Sequence, residues 1–201
     1  MASTASPYGF KAVNELGGLP YAGSTRTFLI DPAGYNTNIF NGSIVAINTS
    51  GYINIVTTNG DNSTPFPAGT IGVFVGCSYY NAQGQLIFSQ YYPANTTGVV
   101  QAFVIDDDRA VFQAQAAGSL GQTALGMNAI LNAVQSTSTG STTTGNSNTA
   151  LSTSVAATSG YAFRIVGFVN STTSQVGDAY TDVLVKFNPG SHSYSNATGV
   201  A

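Results

Sequence analysis

From Ser24 to Ile55 the chain alternates short apolar runs with turn residues: STRTFLI, DPAGYNTN, IFNGSIVAI, NTSG and YINIV. Each apolar run has the length of a strand, and Asp31-Pro32 and Ser50-Gly51 punctuate them as turns, so Ile44 to Val56 reads as a hairpin. The Pro- and Gly-containing stretch from Thr57 to Gly69 reads as a polar loop. The clearest period-two signal is IGVFVGCSYY. It predicts Val73, Val75, Cys77 and Tyr79 on one face of a strand and Phe74, Gly76, Ser78 and Tyr80 on the other. Ala82-Gln83-Gly84 then turns the chain into QLIFSQYY, Gln85 to Tyr92. Aromatic pairs among Tyr79, Tyr80, Phe88, Tyr91 and Tyr92 would stabilise that hairpin by about 0.2–1 kcal/mol each.

Four more strands follow from the same pattern: Gly98 to Asp106, Ala110 to Ala116, Ala162 to Val169 and Ala179 to Phe187. Between Leu120 and Val134, apolar residues at Leu120, Ala124, Met127, Leu131 and Val134 keep a helical spacing that Gly121 and Gly126 weaken; this is the one candidate helix. Residues 136–159 are rich in Ser, Thr, Asn and Gly and read as an exposed loop with little to give a core. The expectation is a single all-β domain over residues 1–201, an antiparallel β-barrel or sandwich. It carries an extended N-terminal arm (1–19), a long Ser/Thr-rich loop (136–159) and a C-terminal tail (189–201).

Composition changes this picture in one respect. Hydrophobic residues make up 43% of the 201-residue chain, with 11 Tyr and 11 Phe, enough to build a core, but only 6% of residues are charged. That is far below the roughly one quarter usual in globular proteins. Hydroxyls and amides hydrate such a surface but repel little, and a net charge of −3 gives weak protection against association. Lys11 and Lys186 are the sole lysines, although edge lysines are a principal device for keeping sheets apart. The edges are therefore expected to be closed, covered or paired with a neighbour.

The same scarcity of charge excludes function classes. Five Lys and Arg residues cannot form the basic surface that counterion release onto nucleic acid requires. MASTASPYGFK lacks a basic segment followed by an apolar one, and no 18 apolar residues run together, so neither export nor membrane insertion is expected. Cys77 is the single cysteine; it excludes an intrachain disulfide and a cysteine-based zinc site, and reads as a small core residue.

Candidate chemistry is sparse. GSTTTGNS, Gly140 to Ser147, has the spacing of a phosphate-binding loop, but Asn146 stands where lysine should reach the phosphates. Asp106, Asp107 and Asp108 form one acidic cluster. It reads as a solvated turn with Arg109 as counter-charge, because adjacent residues point in different directions and do not alone make a cation cage. His192, in a Gly- and Ser-rich tail, reads as a surface histidine, and no G-x-S-x-G elbow is present to supply a nucleophile. Arg26, Arg164 and Lys186 lie on or beside apolar strands and must be paired or reach the rim; pairing is the expectation, with Asp178 and Asp182 the natural partners in sequence neighbourhood. The N-x-[ST] triplets at Asn41, Asn48, Asn95 and Asn196 follow from composition. No catalytic residue, cofactor site or metal site is expected, and the chain reads as a non-enzyme.

Five segments carry a resemblance: SPYGFKAVNELGGLPYAGSTRTFLI, TNIFNGSIV, GVFVGCSYYNAQGQLIFSQYYPA, GNSNTAL and GDAYTDVLVKFNPGSHSYSNATGV. Together, over nearly the whole chain, they resemble structural proteins of marine and cyanobacterial tailed bacteriophages. The resemblance implies a virion protein, made in the host cytoplasm, that decorates the capsid surface and cements neighbouring copies of the major capsid protein. It also implies a homo-oligomer, a trimer before a dimer, with arms that cross between subunits. The candidate arms are residues 2–19 and 189–201, with Pro7, Tyr8, Gly9, Phe10, Lys11, His192 and Tyr194 as candidate contact residues. The alternative is a carbohydrate- or receptor-binding module of a tail or head fibre, which the paired tyrosines would suit and the absence of Trp would not.

Overall fold

The structure, a computed structural model, describes residues 3–200; the outermost residues of both candidate arms lie outside it. Its strands are β1 (Lys11–Glu15), β2 (Arg26–Ile30), β3 (Ile39–Phe40), β4 (Ile44–Ile47), β5 (Ile53–Ile55), β6 (Thr70–Tyr80) and β7 (Leu86–Ser89), followed by β8 (Tyr91–Tyr92), β9 (Val100–Ile105), β10 (Ala110–Gln115), β11 (Asn128–Ala129), β12 (Phe163–Phe168) and β13 (Asp182–Phe187). Every strand pairing is antiparallel. One sheet runs β1-β10-β13-β12-β11. The second runs β2-β9-β6-β4-β5, with β7 added beside β6, and β3 with β8 forms a small third sheet. The fold is all-β and sandwich-like, and the sheets do not close into a barrel. Among the described residues, no helix is long and apolar enough to cross a membrane.

Two buried clusters hold these layers together. The first fills the space between the sheets, with Phe112, Phe163, Val183, Val185 and Phe187 facing Ile44, Val73 and Ile105. The rings of Phe163 and Phe187 lie 5.0 Å apart, and Phe66, from the loop before β6, meets Phe163 edge-on at 5.5 Å. The second lies on the opposite face of the second sheet, where Ile30, Val45, Ile53, Phe74, Val100 and Val104 are capped by Ile39 and Tyr92 of the small sheet. The edge strands β2 and β5 approach one another around this second cluster.

β6 serves both clusters, and it does so by breaking its own alternation. Its register slips against β4 between Gly72 and Thr70 and against β9 between Phe74 and Gly76. Each slip leaves one extra residue, Ile71 and then Val75, and each turns the following side chains to the other face. Val73 and Val75 therefore join the inter-sheet cluster, while Cys77 and Tyr79 join the second one. The single face predicted for these four residues is corrected on this ground. Gly72 makes the first slip possible: its φ is +141°, and a Cβ there would lie 1.9 Å from the Ile105 carbonyl oxygen, a conformation and an approach open only to glycine.

The hairpins predicted at Ile44–Val56 and around Ala82-Gln83-Gly84 are present, and Cys77 is buried. The expected aromatic pairing in the second hairpin is not what forms. Ser78, Tyr79 and Tyr80 face Phe88, Ile87 and Leu86, while Tyr91 and Tyr92 leave the hairpin to stack on Phe40 and tilt against Tyr35. The predicted helix between Leu120 and Val134 is replaced by one 3₁₀ turn, Gln122–Ala124, and the short strand β11. Gly126 ends that turn with φ +81°, and the Leu131 amide donates to the Asn59 carbonyl rather than to a helical neighbour.

The Ser/Thr-rich segment 136–159 is irregular, as expected, yet it is not excluded from the core. Leu151 is buried within the inter-sheet cluster, and its amide donates to the Gln115 carbonyl. Just ahead of it, buried Gln135 acts as a polar rivet: its amide accepts from Ile44 N–H and donates to the carbonyls of Ile44 and Val56 at 2.9–3.0 Å.

Candidate functional site

The candidate contact residues in the N-terminal segment are anchored to their own domain. The Ser3 hydroxyl accepts from Tyr180 N–H, the Ser6 amide donates to Gln115 Oε1, and Gln115 Nε2 donates to the Thr4 carbonyl. The Tyr8 hydroxyl donates to Asp182 at 3.1 Å with Lys11 Nζ 4.5 Å from its ring. Burial pushes the Tyr8 hydroxyl well above the usual phenol range, with the Asp182 charge adding to it, and burial likewise raises Asp182. Gly9, at φ +75°, sits against the Gly42 backbone. Phe10 is buried and stacks on Phe163 at 5.0 Å, and β1 then pairs with β10. Within residues 3–19, then, the arm is a docked strand and its approach; Pro7 lines a groove of about 270 Å³ together with Gln115, Asn132, Asn148 and Tyr180.

The C-terminal tail is docked as well. His192 is only 1% exposed, which corrects its reading as a surface residue. Its ring meets Phe187 and Tyr194 edge-on, its Nδ1 accepts from the Tyr194 amide, and Nε2 has no hydrogen-bond partner. Burial lowers its proton affinity, against the opposing pull of the Ile71 backbone and of Asp106 to Asp108. The Tyr194 hydroxyl donates to Asp106 at 2.7 Å and accepts from Arg26, which itself pairs with Asp106 at 2.9 Å. Asp106 is therefore countered by Arg26 across 80 residues of sequence rather than by adjacent Arg109. Arg164 bonds the Asn128 side chain, Asp182 accepts from the Tyr8 hydroxyl and Asp178 from the Gln175 amide, so among the described residues neither carboxylate predicted to pair with these cations does so.

Other candidate chemistry is also absorbed into the fold. In the phosphate-loop-like segment the backbone amides of Ser141, Gly145 and Ser147 donate to protein carbonyls and those of Thr144 and Asn146 to the Ser141 and Thr144 hydroxyls, so these amides are not presented to an anion. Burial pushes the Cys77 thiol up to about 12, and its Sγ contacts the Tyr91 carbonyl, which makes it a poor nucleophile at neutral pH.

What remains unsatisfied is a surface. On its outer side the second sheet is covered by the first sheet around Ile44, Val73 and Ile105, but it extends past that cover. Following the strand register across this extension gives one continuous face: Leu29 opposite Gln101, Gln101 opposite Ser78, Ser78 opposite Phe88, and Tyr80 opposite Leu86. Phe88 is 72% exposed, Tyr80 and Val99 62% each, with Leu29 and Leu86 also open. Tyr80, Leu86, Phe88 and Val99 line a shallow groove over Ser78 and Phe103. None of these residues carries a charge. A contiguous uncharged apolar face at a sheet edge marks an interaction site.

This face lay outside the candidate contact residues read from the sequence. The available signal was the unbroken apolar run Leu86-Ile87-Phe88: in a strand paired on one side and covered on one face, such a run leaves large side chains outside. Comparison with known proteins finds no matching family model, no matching curated protein and no matching solved structure.

Proposed function

We propose that this chain is a structural component of an assembly, a virion protein that decorates a phage capsid and cements neighbouring major capsid subunits. The observation that carries the reading is the uncharged apolar extension of the second sheet, on a molecule whose charged fraction is 6%. Such a surface associates through apolar burial and backbone pairing rather than through ion pairs. Repetition over a lattice would multiply modest contacts through avidity, so no single contact need be strong. Attachment of this kind is little weakened by salt, because there is little charge to screen.

The test is the stoichiometry and position of the protein in purified particles, by quantitative mass spectrometry followed by particle reconstruction. Hundreds of copies on the head lattice are expected, retained through a molar salt wash. A few copies at a tail or vertex would overturn the reading in favour of a carbohydrate- or receptor-binding module. That second reading has its own support in the uncharged groove between the N-terminal segment and residues 132–150, where Gln115, Asn132, Asn148 and Tyr180 offer amide and hydroxyl groups suited to sugar hydroxyls.

A further inference from the structure

We propose that β7 is the seam of a symmetric homodimer, in which β7 of one copy pairs antiparallel with β7 of a second and joins their sheets into one. The proposal deepens the assembly reading and rests on it for the presence of neighbouring copies.

Among the described residues, β7 pairs with β6 alone. The bond from the Asn81 amide to the Gln85 carbonyl fixes the alternation along this hairpin: Ile87 opposite Tyr79 and Ser89 opposite Cys77 are the hydrogen-bonded pairs. Leu86 and Phe88 therefore turn their N–H and C=O groups outward, away from β6. The residues with unpaired backbone are thus the same two whose side chains stand exposed. An edge of this kind is a template for one more strand.

Three features select a second copy as the occupant. About a twofold axis through Ile87, Leu86 of each strand falls opposite Phe88 of the other. Both outward backbone pairs are then satisfied, and on one face a large aromatic side chain lies beside an aliphatic one at each end of the seam. In a twofold contact a charged group close to the axis meets its own copy and is repelled by it, and β7 with its flanks Asn81 to Gln90 contains no charged residue. The usual protections of an exposed edge, a lysine, a proline or a slip in register, are also missing from β7, whereas slips of register occur in β1, β4, β6 and β12.

Analytical ultracentrifugation of the purified full chain over a micromolar range tests the seam without reference to any capsid. The wild-type chain is expected to show a concentration-dependent dimer. Phe88→Pro removes an outward N–H and no bond within the monomer, and it should raise the dissociation constant roughly tenfold or more, because two symmetry-related bonds are lost together. Val99→Lys, on the exposed face but off the edge, should leave dimerisation unchanged. Ile87→Cys should give a disulfide-linked dimer on mild oxidation, while the wild-type chain, with Cys77 buried, should not. This last readout is a gain and does not depend on how well the proline variant folds.

A wild-type chain that stays monomeric throughout overturns the seam. So does a dimer dissolved by Val99→Lys and not by Phe88→Pro, which would mean that copies stack face to face. Hydrogen exchange that slows at β7 only after binding to heads would assign the edge to a different protein. A monomer found in hundreds of copies on heads would remove the seam and leave the capsid reading standing; a dimer absent from heads would do the reverse.

Discussion

The N-terminal segment and the β6–β7 hairpin end in opposite circumstances. Residues 3–10 are polar and Gly- and Pro-containing, yet they are tied down by Gln115, Asp182, Tyr180 and Gly42 and insert Phe10 into the inter-sheet core. The hairpin holds the strongest run of apolar strand residues in the chain, yet Tyr80, Leu86 and Phe88 stand in solvent. Hydrophobicity alone does not decide burial here. What decides it is whether another layer lies over the residue, and the first sheet stops short of the hairpin.

The sharpest way to break this comparison is to truncate the same side chain in both places. Phe10→Ala should cost about 3–5 kcal/mol, as expected for a fully buried aromatic ring, and denaturant unfolding would show it as a lowered midpoint. A cost below about 1 kcal/mol would mean that the segment is a loose arm after all. Next in size, Gln135→Leu leaves the Ile44 N–H and the Val56 carbonyl buried without partners, while the Ile44 carbonyl keeps the Val56 N–H, at about 2–3 kcal/mol; a neutral result would mean that water reaches the rivet.

The tail should respond to pH. His192 in the folded chain holds a proton less readily than an exposed imidazole, whose pKa is about 6.5, so protonation favours the undocked tail. Docking is therefore fully present above that value and weakens as the pH falls through it toward the lower folded pKa. Hydrogen exchange at residues 190–196 should speed up on acidification, and His192→Phe should flatten the dependence. Tyr194→Phe removes the hydroxyl shared by Arg26 and Asp106 at about 0.5–1 kcal/mol, a small effect because the site is partly exposed. Its signature is faster exchange in the tail, with the global midpoint nearly unchanged. Smallest of all, Phe88→Ser should alter monomer stability by no more than about 0.5 kcal/mol, measured at a concentration below association; a large loss would show that the hairpin face is covered within the monomer.

The strands were legible where a run of apolar residues sits between turn residues, because that pattern depends on neighbours along the chain. STRTFLI, YINIV, GVVQAFVID and AYTDVLVKF each produced one strand close to its expected bounds. β1 and β11 were missed, since Lys11 to Glu15 and Asn128-Ala129 carry no alternation and are strands only because β10 and β12 offer them an edge. The anchoring of the termini was not legible either. It depends on Gln115 and Asp182, more than a hundred residues away from Ser6 and Tyr8, and a polar residue gives no sign of which distant partner it will meet.

By itself, then, the sequence determined the all-β class, the hairpins and a surface with very little charge, all of them properties of local pattern and composition. The tertiary structure alone decided which apolar residues are core. The two slips in β6 turn Val73 and Cys77 to opposite faces, Leu151 and Phe10 are drawn in from polar surroundings, and the hairpin is left uncovered. Burial is a relation between layers, and no segment contains the information about where its covering layer ends.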